Sequence, residues 1–125
     1  MSMKSSVLVI DDDPSFRSFV KSILEHKQDY EVIEAADVEG GLDAAAKGLP
    51  QLIILDLMMP HKSGQDFLVE ARTNEAIKHI PVLVCSGRDS ELDARRCRIL
   101  GAVGFIPKPF ELEDFRFRVR KAVGH

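Results

Sequence analysis

Residues 7–14 read VLVIDDDP, an apolar run that ends abruptly in three aspartates and a proline. Consecutive aliphatic residues without polar alternation are typical of a strand that is buried on both faces, as in a parallel sheet. Pro14 suits the first turn of a helix, and Asp13 before it can act as the N-cap. The stretch therefore predicts a buried strand, a junction rich in carboxylates and then a helix.

The same alternation of a short apolar run and a longer helical stretch continues along the whole chain. The predicted strands cover residues 5–10, 31–35, 51–55, 81–85 and 103–106. The predicted helices cover residues 15–24, 37–47, 64–73, 91–100 and 111–123. Five βα units predict a doubly wound α/β fold, with a parallel five-stranded sheet between two layers of helices. We expect the flavodoxin-like strand order 2-1-3-4-5.

Composition excludes several classes of protein. The length of 125 residues fits one domain, which we expect to span 1–125, and 45% hydrophobic residues suffice for a packed core. No apolar run approaches the roughly 20 residues that cross a bilayer, and no signal peptide is evident. The net charge of −3 gives no electrostatic case for nucleic acid or membrane partners. We therefore expect a cytoplasmic protein, with Cys85 and Cys97 as reduced thiols in the core.

Polar residues with chemical potential follow four of the predicted strands. Asp11 and Asp12 follow the first strand, Asp56 the third, Ser86 the fourth and Lys108 the fifth. Ligands bind outside the carboxyl ends of the strands in a doubly wound sheet, so these side chains are expected to converge. The first and third strands are expected to be neighbours, which places the three carboxylates within a few ångströms of one another.

Three converging carboxylates predict a metal site. Like charges in one place are costly, and a divalent cation offsets their repulsion. Ligands that are all oxygen atoms favour a hard ion such as Mg²⁺. The alternative is an acid cluster with a purely structural role, as expected for Asp13.

Asp56 is the expected nucleophile, because carboxylates form acyl-phosphate intermediates. Lys108 would supply a cation and the Ser86 hydroxyl a hydrogen-bond donor to the phosphoryl oxygens. The alternative for Lys108 is a solvated lysine on the surface.

Four sequence pieces carry a family resemblance: VLVIDDDP (7–14), LIILDLMMPHKSG (52–64), PVLVCSG (81–87) and GFIPKPF (104–110). In this order and spacing, they resemble the receiver domain of two-component response regulators over essentially the whole chain. The resemblance implies a phosphorylation-switched signalling domain that takes a phosphoryl group from a sensor histidine kinase or phosphotransfer protein. Its catalysis would extend only to accepting and losing that group.

The resemblance also implies roles at individual positions. Asp12 would be a direct Mg²⁺ ligand, Asp11 would act mainly through water, and Asp56 would bind metal and accept the phosphoryl group. The backbone carbonyl of Met58 would complete the metal site. Ser86 would move towards the phosphoryl group.

Further implied roles concern the pairing lysine and the switch. Lys108 would pair with the phosphoryl group, and the Lys108–Pro109 peptide is expected to be cis. Phe105 would be the aromatic switch residue, read through packing because it has no hydroxyl. Met58 and Arg88 match positions that tune dephosphorylation, and an apolar residue at 58 predicts a long-lived phosphoryl group.

Two partner surfaces follow from the resemblance. The first helix, near Ser15, Phe16 and Phe19, would dock the kinase or phosphotransfer protein. The helix 4, strand 5 and helix 5 face would contact a downstream protein. The alternative is that these helices are simply solvated. The face carries a set of basic residues: Arg95, Arg96, Arg98, Arg116, Arg118, Arg120 and Lys121.

One aromatic residue stands out in the last helix. Its apolar stripe contains Leu112, Phe115, Val119 and Ala122. Phe117 lies off that stripe, which predicts an exposed aromatic side chain. We hypothesise that Phe117 and the neighbouring arginines bind an acidic partner or a second copy of this chain.

Other readings stay open. Only 17 residues follow Lys108, so we expect no output domain, unless the chain is a receiver fragment of a larger regulator or hybrid kinase. A receiver that no longer uses phosphate is a further alternative. Asp11-x-Asp13 also resembles the nucleophile motif of haloacid-dehalogenase-like phosphatases. Phosphate on Asp56 would support the receiver, and phosphate on Asp11 the phosphatase.

Overall fold

Strands and helices alternate strictly in the computed structural model, which describes residues 4–26, 29–87 and 91–124. The strands are β1 (Ser5–Ile10), β2 (Tyr30–Ala35), β3 (Leu52–Leu55), β4 (Val82–Ser86) and β5 (Gly104–Pro107). The helices are α1 (Pro14–Glu25), α2 (Val38–Gly48), α3 (Gly64–Arg72), α4 (Glu91–Ile99) and α5 (Leu112–Val123). Every predicted element is confirmed, with ends that differ only slightly.

The strands form one parallel sheet in the order β2-β1-β3-β4-β5, which confirms the predicted topology. Ile10, the last residue of β1, lies opposite both Ala35 of β2 and Leu55 of β3. On the other half of the sheet, Ser86 lies opposite Pro107. Because these strand ends are in register, the residues that follow them share one edge of the sheet.

Apolar side chains fill a layer on each side of the sheet. Along β1, Leu8 and Ile10 point to one layer and Val7 and Val9 to the other, as the period of two in a strand requires. The first layer packs against α2, α3 and α4, and the second against α1 and α5. Burial on both faces explains why the strand sequences are almost continuously apolar.

The two cysteines lie in different layers and are both free and buried. Burial raises the pKa of the Cys85 thiol to about 12. The thiol is therefore protonated at neutral pH and behaves as an apolar core residue. The prediction of buried, reduced thiols is confirmed.

Local hydrogen bonds set the starts of the first two helices. The Asp13 carboxylate accepts a hydrogen bond from the Ser15 N–H at 2.9 Å, which confirms Asp13 as the N-cap of α1. The Asp37 carboxylate accepts one from the Gly40 N–H at 2.6 Å and caps α2.

The apolar stripe of α5 is buried only in part. Phe115 and Val119 of the α5 stripe are buried and Ala122 is partly buried, but Leu112 is 40% exposed. Phe110, in the loop before α5, stacks on Phe115 with the ring centroids 4.6 Å apart.

Candidate functional site

Three carboxylates meet at the carboxyl edge of β1 and β3. Asp11, Asp12 and Asp56 each place one carboxylate oxygen within 4.8 Å of the others. Asp11 and Asp56 are only 1% and 7% exposed, whereas Asp12 faces solvent. The donor set consists of oxygen atoms alone, which fits a hard cation such as Mg²⁺.

Sheet hydrogen bonding places the two buried aspartates. The Asp11 N–H donates to the carbonyl of Ala35 in β2 at 3.1 Å. The Asp56 N–H donates to the carbonyl of Ile10 in β1 at 3.0 Å. Each aspartate therefore continues the ladder by one residue before its chain leaves the sheet, which keeps its backbone rigid.

Protein donors occupy both carboxylate oxygens of Asp11. The Lys108 ammonium donates to Oδ2 at 2.8 Å, and the Asp13 N–H donates to Oδ1 at 2.9 Å. The Arg17 guanidinium donates to the Asp11 backbone carbonyl at 2.7 Å and also pairs with Glu34. Asp11 is thus a fixed counter-ion for Lys108, and the carboxylates of Asp12 and Asp56 are the more accessible pair for a metal.

Lys108 is held at both ends. Its backbone N–H donates to the carbonyl of Ser86 at 2.9 Å, and the Lys108–Pro109 peptide is cis, as predicted. Its ammonium group pairs with Asp11 and lies 3.8 Å from the centroid of the Phe16 ring. The alternative of a solvated surface lysine is therefore wrong.

Burial raises the pKa of the Asp56 carboxyl above its usual range, and the Asp11 carboxylate adds to that rise. The Lys108 charge opposes it, as do hydrogen bonds donated by the Met58 N–H and the Ser86 hydroxyl. The Ser86 side chain is fully buried and already contacts Asp56. Asp56 is thus a desolvated carboxylate whose donors already point at it.

Comparison with known proteins decides the family. The family model of the response regulator receiver domain matches residues 7–120. This chain belongs to that family. The CpxR transcriptional regulatory protein of Escherichia coli (strain K12) is 36% identical over 116 residues, covering 93% of this chain and 48% of CpxR. Histidine kinase P4 of Formosa agariphila is 33% identical over 117 residues, covering 94% of this chain and 8% of the kinase.

The receiver domain thus spans about half or less of these curated relatives. Among solved structures, chemotaxis protein CheY4 of Vibrio cholerae is 30% identical with a TM-score of 0.89, covering 96% of this chain and 99% of that chain. A CheY-like receiver domain protein from Methanospirillum hungatei has a TM-score of 0.88 at 24% identity, which supports the fold alone. Within the described ranges, no helix is long and apolar enough to cross a membrane.

Gly64 supports the site, although the sequence pattern predicted it only as the first residue of a helix. A Cβ atom at this position would lie 2.4 Å from the carbonyl oxygen of Asp56 and 2.8 Å from the Cα of Leu57. The Gly64 N–H also donates to the Leu57 carbonyl at 3.0 Å. The first turn of α3 therefore rests directly on the backbone that presents Asp56, which only glycine permits.

The predicted switch residue, Phe105, and the predicted tuning positions, 58 and 88, lie outside the acidic cluster or beyond the described residues. Phe105 is partly buried against the α2–α4 layer, and its carbonyl accepts a hydrogen bond from Arg118 at 3.0 Å. The Met58 side chain is exposed beside the pocket. Arg88 lies outside the described residues.

On the predicted partner surfaces, Ser15 is exposed and Phe19 is 48% exposed, but Phe16 is partly buried and turned towards Lys108. Arg95 and Arg96 are exposed on α4, and Phe117 is 64% exposed on α5.

The basic face of α5 is partly neutralised. Arg116 pairs with Glu113 at 3.2 Å, and Arg118 pairs with Asp114 at 3.4 Å. The face is therefore less strongly positive than the sequence alone predicted.

The raised pKa of Asp56 predicts a pH-dependent penalty on stability. A carboxyl group with a higher pKa in the folded state binds its proton more tightly there, so its contribution to stability falls as the pH rises through that pKa. Without divalent cations at pH 7, Asp56→Asn is expected to raise the melting temperature by a few degrees. The difference should shrink as the pH falls below the Asp56 pKa. Thermal denaturation across pH measures this, with Asp12→Asn as the control for an exposed carboxylate. A less stable Asp56→Asn at pH 7 would contradict the prediction.

The acidic pocket predicts stabilisation by Mg²⁺ alone. At a concentration of about ten times the Kd, a ligand that binds only the folded state adds about 1.4 kcal/mol to the free energy of unfolding. Asp12→Asn and Asp56→Asn are expected to lose most of this increment, which urea denaturation with and without Mg²⁺ measures. Asp13→Asn is the matched control, because asparagine keeps the helix cap and position 13 is not an expected ligand. An increment that persists in both pocket variants would show that the ion binds elsewhere.

Proposed function

We propose that this receiver domain accepts a phosphoryl group on Asp56 and passes the signal on through protein contacts, as part of a two-component phosphorelay. One observation carries the proposal. A buried carboxylate at a strand end receives hydrogen bonds from Ser86 and the Met58 backbone, beside a lysine already paired with Asp11.

The residues suggest how transfer would proceed. A carboxylate oxygen of Asp56 attacks the phosphorus atom of the donor, and the donor's own bond to phosphorus breaks as the new O–P bond forms. The Lys108 ammonium and the Ser86 hydroxyl are placed to donate to the phosphoryl oxygens. Both groups already lie near Asp56, so little conformational entropy has to be lost to bring them to the reacting group.

The chain's own groups would hold Mg²⁺ in this pocket. The ligands would be the carboxylates of Asp12 and Asp56 and the backbone carbonyl of Met58, with Asp11 acting mainly through water. When bound, the ion neutralises charge on the transferring group. We assign the chain no reaction beyond gain and loss of its own phosphoryl group, and we place it in the cytoplasm.

The geometry disfavours the phosphatase alternative. A nucleophilic Asp11 would have to give up its ion pair with Lys108, because Lys108 and the Asp13 N–H bind its two carboxylate oxygens. The carboxylate of Asp13 is engaged as the cap of α1. Asp56, whose desolvated carboxylate faces the pocket, is the better nucleophile.

The donor would be a sensor histidine kinase or a phosphotransfer protein docked at the start of α1. Ser15 and Phe19 are exposed there, in the first two turns of the helix that follows Asp11 and Asp12. A partner that covers them is positioned to deliver a phosphoryl group to Asp56.

The downstream surface is centred on Phe117 of α5. This ring stands between two grooves of about 260 and 580 Å³. The first has Ile23 and Tyr30 on its walls, and the second has Leu83 and Val103. Basic side chains line both grooves beside carboxylates: Arg116 and Arg120 with Asp29 and Glu113 in the first, and Arg118 and Lys121 with Asp114 in the second. An acidic protein with an apolar anchor would suit this surface, and a second copy of the chain is the alternative partner.

Phosphorylation at Asp56 is the central test. With Mg²⁺ and acetyl phosphate, the wild-type chain is expected to gain the mass of one phosphoryl group, and Asp56→Asn none. Lys108→Ala is expected to slow the reaction about a hundredfold, because one donor to the developing charge is lost. Intact-mass spectrometry over time measures the rates and, after removal of the donor, the lifetime, which we expect to exceed seconds. Phosphate on Asp11 would refute the proposal.

The α5 surface predicts a selective loss of signalling. Phe117→Ala is expected to weaken partner binding or self-association about tenfold or more, as for an interface anchor, and to leave phosphorylation by acetyl phosphate intact. Sedimentation velocity measures self-association. Signalling is measured as transcript levels in cells. The transcripts that differ between wild-type cells and cells carrying Asp56→Asn serve as the readout. Val69→Ala, an apolar truncation at a 48% exposed position on α3, is the control. If Phe117→Ala alters neither readout, the surface lies elsewhere.

A further inference from the structure

The Lys108 ammonium group has two partners of different chemistry. It donates to the Asp11 carboxylate at 2.8 Å, and it lies 3.8 Å from the centroid of the Phe16 ring. The Lys108 side chain is 24% exposed and that of Asp11 is 2% exposed, so the ammonium is partly withdrawn from water. An ammonium over an aromatic face at this distance is attracted by the negative charge of the ring face.

A chain of aromatic contacts holds the Phe16 ring in place. Phe115 is fully buried, and Phe110 stacks on it with the centroids 4.6 Å apart at an angle of 14°. Phe16 meets Phe110 at 6.3 Å and 79°, a nearly perpendicular arrangement that aromatic pairs favour. The buried core thus sets the orientation of the ring that Lys108 touches.

This arrangement limits the freedom of Lys108. A lysine side chain has many rotamers, and ordering it costs conformational entropy. Here the ring and the Asp11 carboxylate hold the ammonium near Asp56, where the Lys108 charge opposes the rise that burial causes in the Asp56 carboxyl pKa. Much of the ordering that a phosphoryl group would require of Lys108 is therefore already present before the group arrives.

We propose that Phe16 is a positioning residue, which holds the Lys108 ammonium over the acidic pocket and thereby speeds phosphoryl acceptance at Asp56. The proposal rests on the proposed function of the site. It also reassigns Phe16 from the kinase-docking surface to the pocket, because Lys108 covers its face while Phe19 remains the exposed aromatic residue of α1.

Two substitutions at position 16 distinguish the effect of the aromatic face from the effect of side-chain size. Phe16→Leu keeps an apolar side chain but removes the aromatic face, and Phe16→Tyr keeps the face. With Mg²⁺ and acetyl phosphate below saturation, Phe16→Leu is expected to be phosphorylated about two- to fivefold more slowly than wild type, which corresponds to a cation–π contact at a partly exposed site. Phe16→Tyr is expected to react at close to the wild-type rate. Thermal denaturation confirms that each variant is folded at the assay temperature.

A double-mutant cycle tests whether the effect passes through Lys108. In a Lys108→Ala background, Phe16→Leu is expected to cause no further slowing, because the contact no longer exists. A slowing that persists in that background would assign Phe16 a merely structural role and overturn the proposal.

NMR provides a readout that does not depend on phosphorylation. The Lys108 side-chain methylene signals, assigned with Lys108→Ala, are expected to be shielded by the Phe16 ring in the wild type and in Phe16→Tyr. In Phe16→Leu they should move downfield to ordinary lysine positions. Unshielded signals in the wild type would overturn the proposal.

The kinetic outcomes distinguish this inference from the proposed function. If the wild type gains no phosphoryl group, the proposed function fails. If the wild type and Phe16→Leu react equally fast, or the variant reacts faster, the proposed function stands and the positioning role of Phe16 is refuted.

Discussion

The ion pair between Lys108 and Asp11 is the constraint on which the site depends. It joins the end of β5 to the end of β1, and these strands are separated in the sheet by β3 and β4. The pair therefore spans the edge where Asp56 emerges from β3. Removing Lys108 would leave the Asp11 carboxylate, whose side chain is 2% exposed, without its charged partner, which is more costly than losing an exposed pair. The acidic pocket and its cation are thus one unit.

The same pocket makes Asp56 reactive at a cost to stability. Its carboxylate is desolvated, and its pKa is raised although three groups favour the charged form. Binding of a cation beside this carboxylate, or transfer of a phosphoryl group to it, is favoured because either event offsets the free-energy cost of a desolvated negative charge. Functional sites commonly keep such unfavourable groups, and the surrounding packing keeps them in place. Here Gly64, pressed against the Asp56 carbonyl, belongs to that packing.

Contacts run from the pocket to the proposed α1 surface, and a separate hydrogen bond joins β5 to α5. Towards α1, Lys108 touches Phe16, and the contact continues through Phe110 to the exposed Phe19, whose centroid lies 6.2 Å from that of Phe110. Towards α5, the carbonyl of Phe105 accepts a hydrogen bond from Arg118, the neighbour of Phe117. Aromatic contacts therefore link the Lys108 ammonium to the exposed side chain of Phe19.

The sequence by itself determined the ten elements, the strand order, the cap at Asp13 and the convergence of Asp11, Asp12 and Asp56. These features follow from local periodicity, from capping chemistry and from the rule that parallel strands end at one edge. Only the tertiary structure decided that Lys108 pairs with Asp11, 97 residues away, that Phe16 lies under that lysine, and that Phe110 stacks on Phe115. Such contacts depend on which rotamers fill the space between elements remote in sequence, and no local pattern encodes that choice.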